Sequence, residues 1–215
     1  MAHFKSTIRK AYISTSFKVM WSSLKAQENL KKLKGFPLFF RKIGEAFKII
    51  PKHEHYLLVR NPYKRLESCF KDKFRKNLPV KRGQTIHRLF YPILGITKND
   101  ELQKVHEILL AYTFEDFIKE LPSVYNKDPH LYPQFWSSLL GFNRLNWNAK
   151  FNKIYKLEHQ QDIQDLEQNF KLNLKKTKNS TKKVETNIVW TSEMREIVNK
   201  IYKNDFLWYN YSPIN

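Results

Sequence analysis

The sequence predicts an α/β fold, with a mostly parallel central sheet flanked by helices. Three short apolar runs have the length and composition of buried strands, namely residues 11–16, 56–59 and 153–157. Each run is followed by a segment whose apolar residues recur at helical spacing. Strands that alternate with helices are typical of parallel sheets, which bind ligands where the strands end. We therefore expect residues 1–215 to form one domain with its site at the carboxyl ends of the strands.

The composition is that of a globular and strongly basic chain. Of its 215 residues, 41% are hydrophobic and 15% are aromatic, which is enough to build a sizeable core. The 39 Lys and Arg residues outnumber the 20 Asp and Glu residues and give a net charge of +19. Such an excess requires an anionic partner: nucleotide phosphates, acidic glycans, nucleic acid or a membrane surface. Charge does not choose among these classes.

The chain shows no sequence feature of a membrane or secreted protein. No apolar run approaches the roughly 18 residues of a transmembrane helix, and the N-terminus lacks the apolar region of a signal peptide. Cys69 is the only cysteine, so no disulfide forms within the chain. We expect a cytoplasmic protein, and the alternative is a protein whose membrane anchor lies outside these residues. No metal is expected either, because no group of His, Cys, Asp and Glu has the spacing of metal ligands.

The first predicted strand, AYISTS, leads into a turn that carries cationic and hydroxyl side chains. A helix is predicted from Ser22, as N-cap, to about Lys34. A strand, a tight loop and a helix start are the general plan of a phosphate-binding loop. Here the loop offers Lys18, Ser22 and Ser23. It contains no glycine and no Walker A sequence, which argues against a kinase or ATPase. The alternative is a strand–helix corner with a solvated Lys18.

The next segment, from Phe36 to Ile50, has an apolar residue at every third or fourth position. This spacing predicts an amphipathic helix, and Gly35 is a candidate stop for the helix before it. We favour a helix that packs on the core. The other interpretation is a helix that faces the site or lies on a membrane surface, which would make the protein membrane-peripheral.

The central stretch, residues 54–74, predicts a strand, a sharp turn and a helix. Its apolar run ends at Arg60, and Asn61 and Pro62 are favoured at an N-cap and a first helical position. An apolar stripe at helical spacing then extends to Phe74. Arg60 is thereby placed where a strand ends and a helix begins, an arrangement that suits a phosphate group. The alternative is an ordinary turn whose arginine makes a surface ion pair.

The residues of this stretch, VRNPYKRLESCFKDKF, resemble the 3′-phosphate-binding motif of the carbohydrate sulfotransferases, the Golgi-type family and its bacterial relatives. In that family R-[DN]-P-[YF]-x-R-L-x-S-x-[FY]-x-D-K-F follows a central strand. The resemblance implies a P-loop-like sulfotransferase fold. It also implies that Arg60 and Ser68 bind the 3′-phosphate of 3′-phosphoadenosine 5′-phosphosulfate (PAPS). PAPS would be the sulfuryl donor, and a hydroxyl group of a carbohydrate or glycan would be the acceptor.

The loop after the first strand is similar to the 5′-phosphosulfate loop of the same family, P-K-x-[AG]-[GCS]-[ST]-[ST]. The resemblance assigns Lys18 to the motif lysine, and Ser22 and Ser23 to its pair of hydroxyl groups. Three positions depart from the family motif: Phe17 replaces the proline, and Met20 and Trp21 replace the small residues. A backbone that approaches a phosphate closely normally needs small residues. Either the loop turns Trp21 away, or the site is compromised.

Two helices are predicted between the central stretch and the next motif, at residues 99–110 and 113–121. Thr113 and Asp116 have the spacing of a capping box at the start of the second one. A basic linker at residues 76–85 precedes both helices. The segment TFEDFIKEL, at 113–121, again resembles a family segment that follows the phosphate-binding helix.

The segment DPHLYPQ, at 128–134, resembles the H-[WFY]-x-P-Q element that lies near the acceptor cleft in this family. The resemblance makes His130 a candidate general base, since imidazole accepts a proton near neutral pH. The alternative is a loop histidine that binds backbone groups. His53, Glu54 and His55 are rival bases, but they precede the central strand and should lie at its other end.

The last third of the chain contains a strand, KIYKL, an amphipathic helix at 163–174 and a final helix at 191–204. Between the helices, residues 175–187 are polar and rich in lysine. The plain interpretation is a solvated surface loop. The resemblance implies a lid whose Lys182 or Lys183 binds the cofactor phosphates.

Taken together, these resemblances imply a sulfotransferase in which Lys18 stabilises the leaving group and His130 is the base. Two other classes stay open. One is a non-enzymatic binder of polyanions, either nucleic acid or acidic glycan. The other is a degenerate sulfotransferase-like protein that binds glycan without turnover, because of Trp21. No nucleic-acid-binding motif is present, so no specific nucleic acid partner is expected.

Overall fold

A computed structural model describes residues 2–33, 52–79, 85–137, 151–174 and 188–214. The chain divides into two compact units. Unit 1 comprises Met1–Asn61 and Gln134–Asn179, and unit 2 comprises Pro62–Pro133 and Ser180–Asn215. The expectation of a single domain stays a prediction.

Unit 1 contains a five-stranded mixed sheet. Its strands are β1 (Ala2–Ser6), β2 (Ala11–Thr15), β3 (Leu30–Lys32), β4 (Glu54–Val59) and β5 (Lys153–Lys156). They are arranged in the order β3-β1-β2-β4-β5. The β2–β4 and β4–β5 pairs are parallel, whereas β1 is antiparallel to both β2 and β3. Four of these five strands therefore point in the same direction, and the predicted mostly parallel α/β sheet is confirmed.

One face of this sheet packs against two helices, α1 (Trp21–Lys25) and α7 (Gln160–Phe170). Leu24 of α1 and Leu166 and Phe170 of α7 are fully buried against it. Fully burying one such side chain contributes about 1.5–3 kcal/mol. The strand residues that join this core alternate along the chain, for example Ala11 and Ile13, because successive side chains of a strand point to opposite faces.

The opposite face of the sheet carries a buried chain of polar groups. Ser14 Oγ lies 2.7 Å from His3 Nδ1 and 2.6 Å from His55 Nε2, so the hydroxyl group is hydrogen-bonded to both rings. Ser14 and His55 are almost completely buried. Burial lowers the pKa of His3 to about 4. Folding therefore holds this ring neutral at pH values where an unfolded histidine takes up a proton.

This arrangement predicts that the protein loses stability at acid pH and that His3 contributes to the loss. An unfolded histidine has a pKa of about 6.5, so stability falls as the pH drops from there to about 4, by on the order of 3 kcal/mol. In a His3→Asn variant, which keeps a polar partner for Ser14, we expect a correspondingly smaller loss. Urea unfolding across this pH range measures both proteins. Equal losses in the two would contradict the assignment.

Unit 2 is helical. Its helices are α2 (Pro62–Phe70), with a π-helical continuation (Lys71–Lys76), α3 (Thr85–Phe90), α4 (Leu102–Ala111), α5 (Phe114–Lys119), α6 (Leu121–Val124), α8 (Ser192–Ile201) and α9 (Lys203–Trp208). The predicted apolar stripe of α2 forms the centre of its core. The ring of Phe74 lies 5.4 Å from Phe70, 5.2 Å from Phe90 and 5.6 Å from Phe117, measured between centroids. Aromatic pairs at such distances add to the stability that burial gives.

Several predicted helix ends are confirmed in unit 2. α2 begins at Pro62, directly after Asn61. The capping box of α5 is complete, since Thr113 accepts from the Asp116 backbone and the Asp116 side chain accepts from Thr113. Thr191 caps α8 by accepting from Met194 N–H. No helix among the residues described here is long and apolar enough to cross a membrane.

The helix predicted from Ser22 to Lys34 is wrong. α1 ends at Lys25, and Leu30–Lys32 is strand β3, which pairs with β1. Pairing with the neighbouring strand outweighs the moderate helical pattern of this segment, because it satisfies a row of backbone groups and buries Leu30. The predictions for Gly35 and for the helix at 36–50 lie outside the described residues.

Candidate anion-binding site

The loop between β2 and α1 has an unusual backbone. Lys18 and Met20 have φ angles of 66° and 50°, whereas Val19 between them does not have a positive φ. Left-handed conformations are uncommon for residues other than glycine. Two anchors hold them here: Thr15 Oγ1 donates to the Val19 carbonyl at 2.5 Å, and the Val19 side chain is fully buried. Turns that alternate in this way direct successive N–H groups into a concavity that binds anions.

Trp21, the first residue of α1, contacts the core and two lysines. Its ring packs against the core of unit 1, with Lys25 Nζ 5.3 Å and Lys32 Nζ 5.2 Å from the ring centroid. Lys32 belongs to β3, the edge strand, whereas Arg60 follows β4, which is three positions away in the sheet. One of the two lysines that contact the indole therefore belongs to the edge strand β3 and not to β4.

Arg60 directly follows β4 and reaches the loop of Lys18. Its Nη1 donates to the Lys18 carbonyl at 3.3 Å. The two residues meet because β2 and β4 are adjacent and parallel, so both strands end at the same edge of the sheet. The Arg60 side chain is 25% exposed. The structure thus brings the cation predicted for one phosphate into contact with the loop predicted for the other.

Glu158 is a second neighbour of Arg60. Its Oε1 lies 3.8 Å from Arg60 Nε and accepts from Asn61 N–H at 3.0 Å. This carboxylate follows β5, the next parallel strand, and binds at the position that the sequence predicts for an anion. A site that accepts a carboxylate through an arginine and a backbone N–H has the donors that a phosphate needs.

Gln134 is buried and connects the loops that follow β2 and β4. Its Oε1 accepts from Arg60 N–H at 3.0 Å and from Ser16 Oγ at 3.3 Å, and its Nε2 donates to the Arg60 carbonyl at 2.6 Å. Gln134 and Glu158 were not predicted as site residues. Their sequence indication was their place at the end of the segment DPHLYPQ and directly after the strand KIYKL.

The other predicted cofactor residues have different surroundings. Ser22 and Ser23 are the second and third residues of α1, and the N-cap is Met20, not Ser22 as predicted. Ser22 is exposed and Ser23 is partly buried, and their N–H groups lie in the first turn, where a helix leaves them available. Ser68 is partly buried on α2, in unit 2. Lys182 and Lys183 lie outside the described residues.

His130 belongs to unit 2, where it is oriented by Asp128. The ring Nδ1 lies 2.7 Å from Asp128 Oδ1, and the His130 backbone N–H donates to the same oxygen at 2.8 Å. Burial alone would raise the pKa of Asp128, but these hydrogen bonds outweigh it and lower the pKa. The carboxylate is therefore ionised near neutral pH and accepts the Nδ1–H, which places the basic lone pair on Nε2.

Arg65, the second arginine of the central motif, holds the backbone around His130. It is fully buried and donates to the carbonyls of His130 at 3.0 Å and Tyr132 at 2.8 Å. Tyr202 donates to the carbonyl between them, that of Leu131, at 2.6 Å. Three successive carbonyls are thus fixed, and Arg65 is a buried structural cation rather than a phosphate ligand.

The rival bases lie at the start of β4, whereas Arg60 follows its end. His53 and His55 are 6% and 3% exposed. The His53 ring stacks on Tyr12, and Glu54 is ion-paired with Arg9. Within the described ranges, no group of three or more His, Cys, Asp and Glu residues is placed to bind a metal ion.

A protein-family model matches almost the whole chain. The model of the sulfotransferase family matches residues 5–212, which include both loops and every predicted site residue. No curated protein and no solved structure matches the chain significantly. A family match from the first strand to beyond the last helix is more than one shared motif can produce. The chain belongs to the sulfotransferase family.

Proposed function

We propose that this protein transfers a sulfuryl group from PAPS to a hydroxyl group of a carbohydrate. Its family supports sulfuryl transfer in general. The observation that carries the choice of donor is the contact of two anion-binding loops, in which Arg60 donates to the Lys18 carbonyl at 3.3 Å. PAPS has a phosphate at each end of one nucleoside, so it requires two such loops close together.

The loop after β2 is suited to the 5′-phosphosulfate. Its backbone, with positive φ angles at Lys18 and Met20, is of the kind that directs N–H groups toward an anion. Lys18 supplies the cation at the oxygen that takes up negative charge when the sulfur–oxygen bond breaks. Ser22 and Ser23 donate hydroxyl hydrogens to the 5′-phosphate and sulfuryl oxygens.

The end of β4 is suited to the 3′-phosphate. Arg60 offers a two-pronged donor, and Asn61 a backbone N–H that Glu158 accepts in this structure. We assign Ser68 to the same phosphate, and Lys182 and Lys183 to a lid over the nucleotide, on the family resemblance alone.

The acceptor hydroxyl group must lose its proton as its oxygen bonds to sulfur. We assign this proton to His130 Nε2, because the Asp128 carboxylate fixes the tautomer that a base requires. The imidazolium that forms is stabilised by the same carboxylate. The bond between sulfur and the 5′-phosphate oxygen breaks as the bond between sulfur and the acceptor oxygen forms. The leaving group is 3′-phosphoadenosine 5′-phosphate (PAP).

A binder of polyanions without turnover is the second candidate. The net charge of +19 and the two lysines beside the Trp21 ring support it. Such a protein would bind acidic glycans over a basic surface and would not need PAPS.

We keep a cytoplasmic location, peripheral membrane association and the absence of a specific nucleic acid partner as predictions.

Transfer of sulfur label from PAPS to a panel of desulfated glycans tests the proposal. We expect label in at least one glycan and release of PAP in equal amount. Binding of glycan or nucleic acid that depends on salt, with neither transfer nor affinity for PAP, would favour the polyanion binder and contradict the proposal. The panel also identifies the acceptor.

A further inference from the structure

Gln134 connects the loop that follows β4 with the loop that follows β2. It is 1% exposed, and its amide makes hydrogen bonds to Arg60 N–H, to Arg60 C=O and to Ser16 Oγ. Arg60 begins one loop and Ser16 the other, directly after β4 and β2. One buried side chain therefore fixes both loop starts.

The chemistry of these bonds requires an amide. The N–H and the C=O of Arg60 are both satisfied by the same group, which must accept at one atom and donate at the other. A carboxylate lacks the donor, and an apolar side chain lacks both. Leaving a buried backbone group without its partner is costly, so Arg60 would shift toward another partner or toward water.

We propose that Gln134 is a positioning residue for nucleotide binding. It sets the separation between the 3′-phosphate anchor at Arg60 and the 5′-phosphosulfate loop that begins at Ser16. This inference rests on the proposed function, since it presumes that one nucleotide is bound at both ends. It assigns no contact between Gln134 and the nucleotide. The residue acts through the two loops, by holding them at the spacing that a bisphosphorylated nucleoside needs.

A positioning role predicts a loss that depends on the ligand. PAP contacts both loops at once, so it gains from their fixed spacing, whereas adenosine 5′-phosphate contacts only one. Replacing Gln134 with methionine, which has a similar volume and no amide, should weaken PAP binding by about 10-fold or more. The same change should alter the affinity for adenosine 5′-phosphate by less than about 3-fold.

The test is calorimetric titration of both nucleotides into the full-length wild type and the Gln134→Met variant. Gln134→Glu, which keeps the acceptor and loses the donor, provides the same comparison if the methionine variant does not fold. Asn152→Ala is the control. Asn152 accepts from His55 N–H at 2.7 Å and so holds the other end of β4 through an equivalent amide. We expect it to lower the melting temperature and to leave the ratio of the two affinities unchanged.

A double-mutant cycle with Arg60→Ala separates the inference from the proposed function. If Gln134 acts through Arg60, its substitution should have little further effect on PAP affinity once Arg60 is gone. Fully additive losses, or equal losses for the two nucleotides, would overturn the positioning role. If Arg60→Ala alone leaves PAP binding unchanged, Arg60 is not the 3′-phosphate anchor, and its contact with the Lys18 loop no longer supports PAPS as the donor.

Discussion

Replacing Arg60 with alanine is expected to weaken PAP binding by at least about 100-fold, because a phosphate loses two charge-assisted hydrogen bonds of about 1.5–3 kcal/mol each. The fold should survive, since the side chain is 25% exposed, its Nη1 donates to a carbonyl at 3.3 Å and its Nε lies 3.8 Å from the Glu158 carboxylate. Surface ion pairs of this kind contribute little to stability. Calorimetry with PAP measures the affinity, and thermal unfolding checks the fold.

Arg9→Ala is the matched control for this variant. Arg9 has nearly the same side-chain exposure, 27%, and is also ion-paired with a glutamate, Glu54. It precedes β2, so it lies at the end of the strands opposite to that of Arg60. We expect Arg9→Ala to cost some stability and to leave PAP affinity intact. Equal affinities of wild type and Arg60→Ala, or equal losses in the two variants, would remove Arg60 as the anchor.

Replacing Lys18 with alanine is expected to lower turnover by about 100-fold to 1,000-fold while PAP affinity falls far less. The reason is that the ammonium group acts on charge that develops in the transition state, which the nucleotide product does not reproduce in full. Alanine has the same Cβ as lysine, so the left-handed backbone at φ 66° is strained to a similar degree in both. The loss therefore reports on the ammonium group. Single-turnover transfer of sulfur label measures it.

Lys31→Ala, on the exposed side of β3, controls for the general effect of removing one positive charge. It should keep both turnover and PAP affinity. If Lys18→Ala transfers label at the wild-type rate, the loop after β2 does not serve the leaving group. A loss of affinity as large as the loss of turnover would make Lys18 a binding residue only.

Local chemistry made much of this structure predictable. The apolar runs at β2 and β4 were recognisable because central parallel strands are buried on both faces. The start of α2 at Pro62 and the capping box of Thr113 and Asp116 follow from side chains within a few residues of each other. The place of Arg60 at the end of β4 is a consequence of the same local pattern.

The remaining features depend on contacts between distant segments. β3 has only three residues, and it is a strand because it pairs with β1. Gln134 is far in sequence from Arg60 and Ser16, and no local pattern shows that its amide bridges them. Arg65 is of the residue type that binds phosphate, but its guanidinium group is buried and donates to backbone carbonyls. In each case the partner decides the role, and the partner lies elsewhere in the chain.

Calorimetry of the wild type with three nucleotides tests the central claim most directly. The claim is that the loops after β2 and β4 bind opposite ends of one nucleotide. It predicts that PAP binds at least about 100-fold more tightly than either adenosine 3′-phosphate or adenosine 5′-phosphate, because both loops contribute at once. If PAP binds no more tightly than the better monophosphate, the two loops do not act on one molecule, and the account is contradicted.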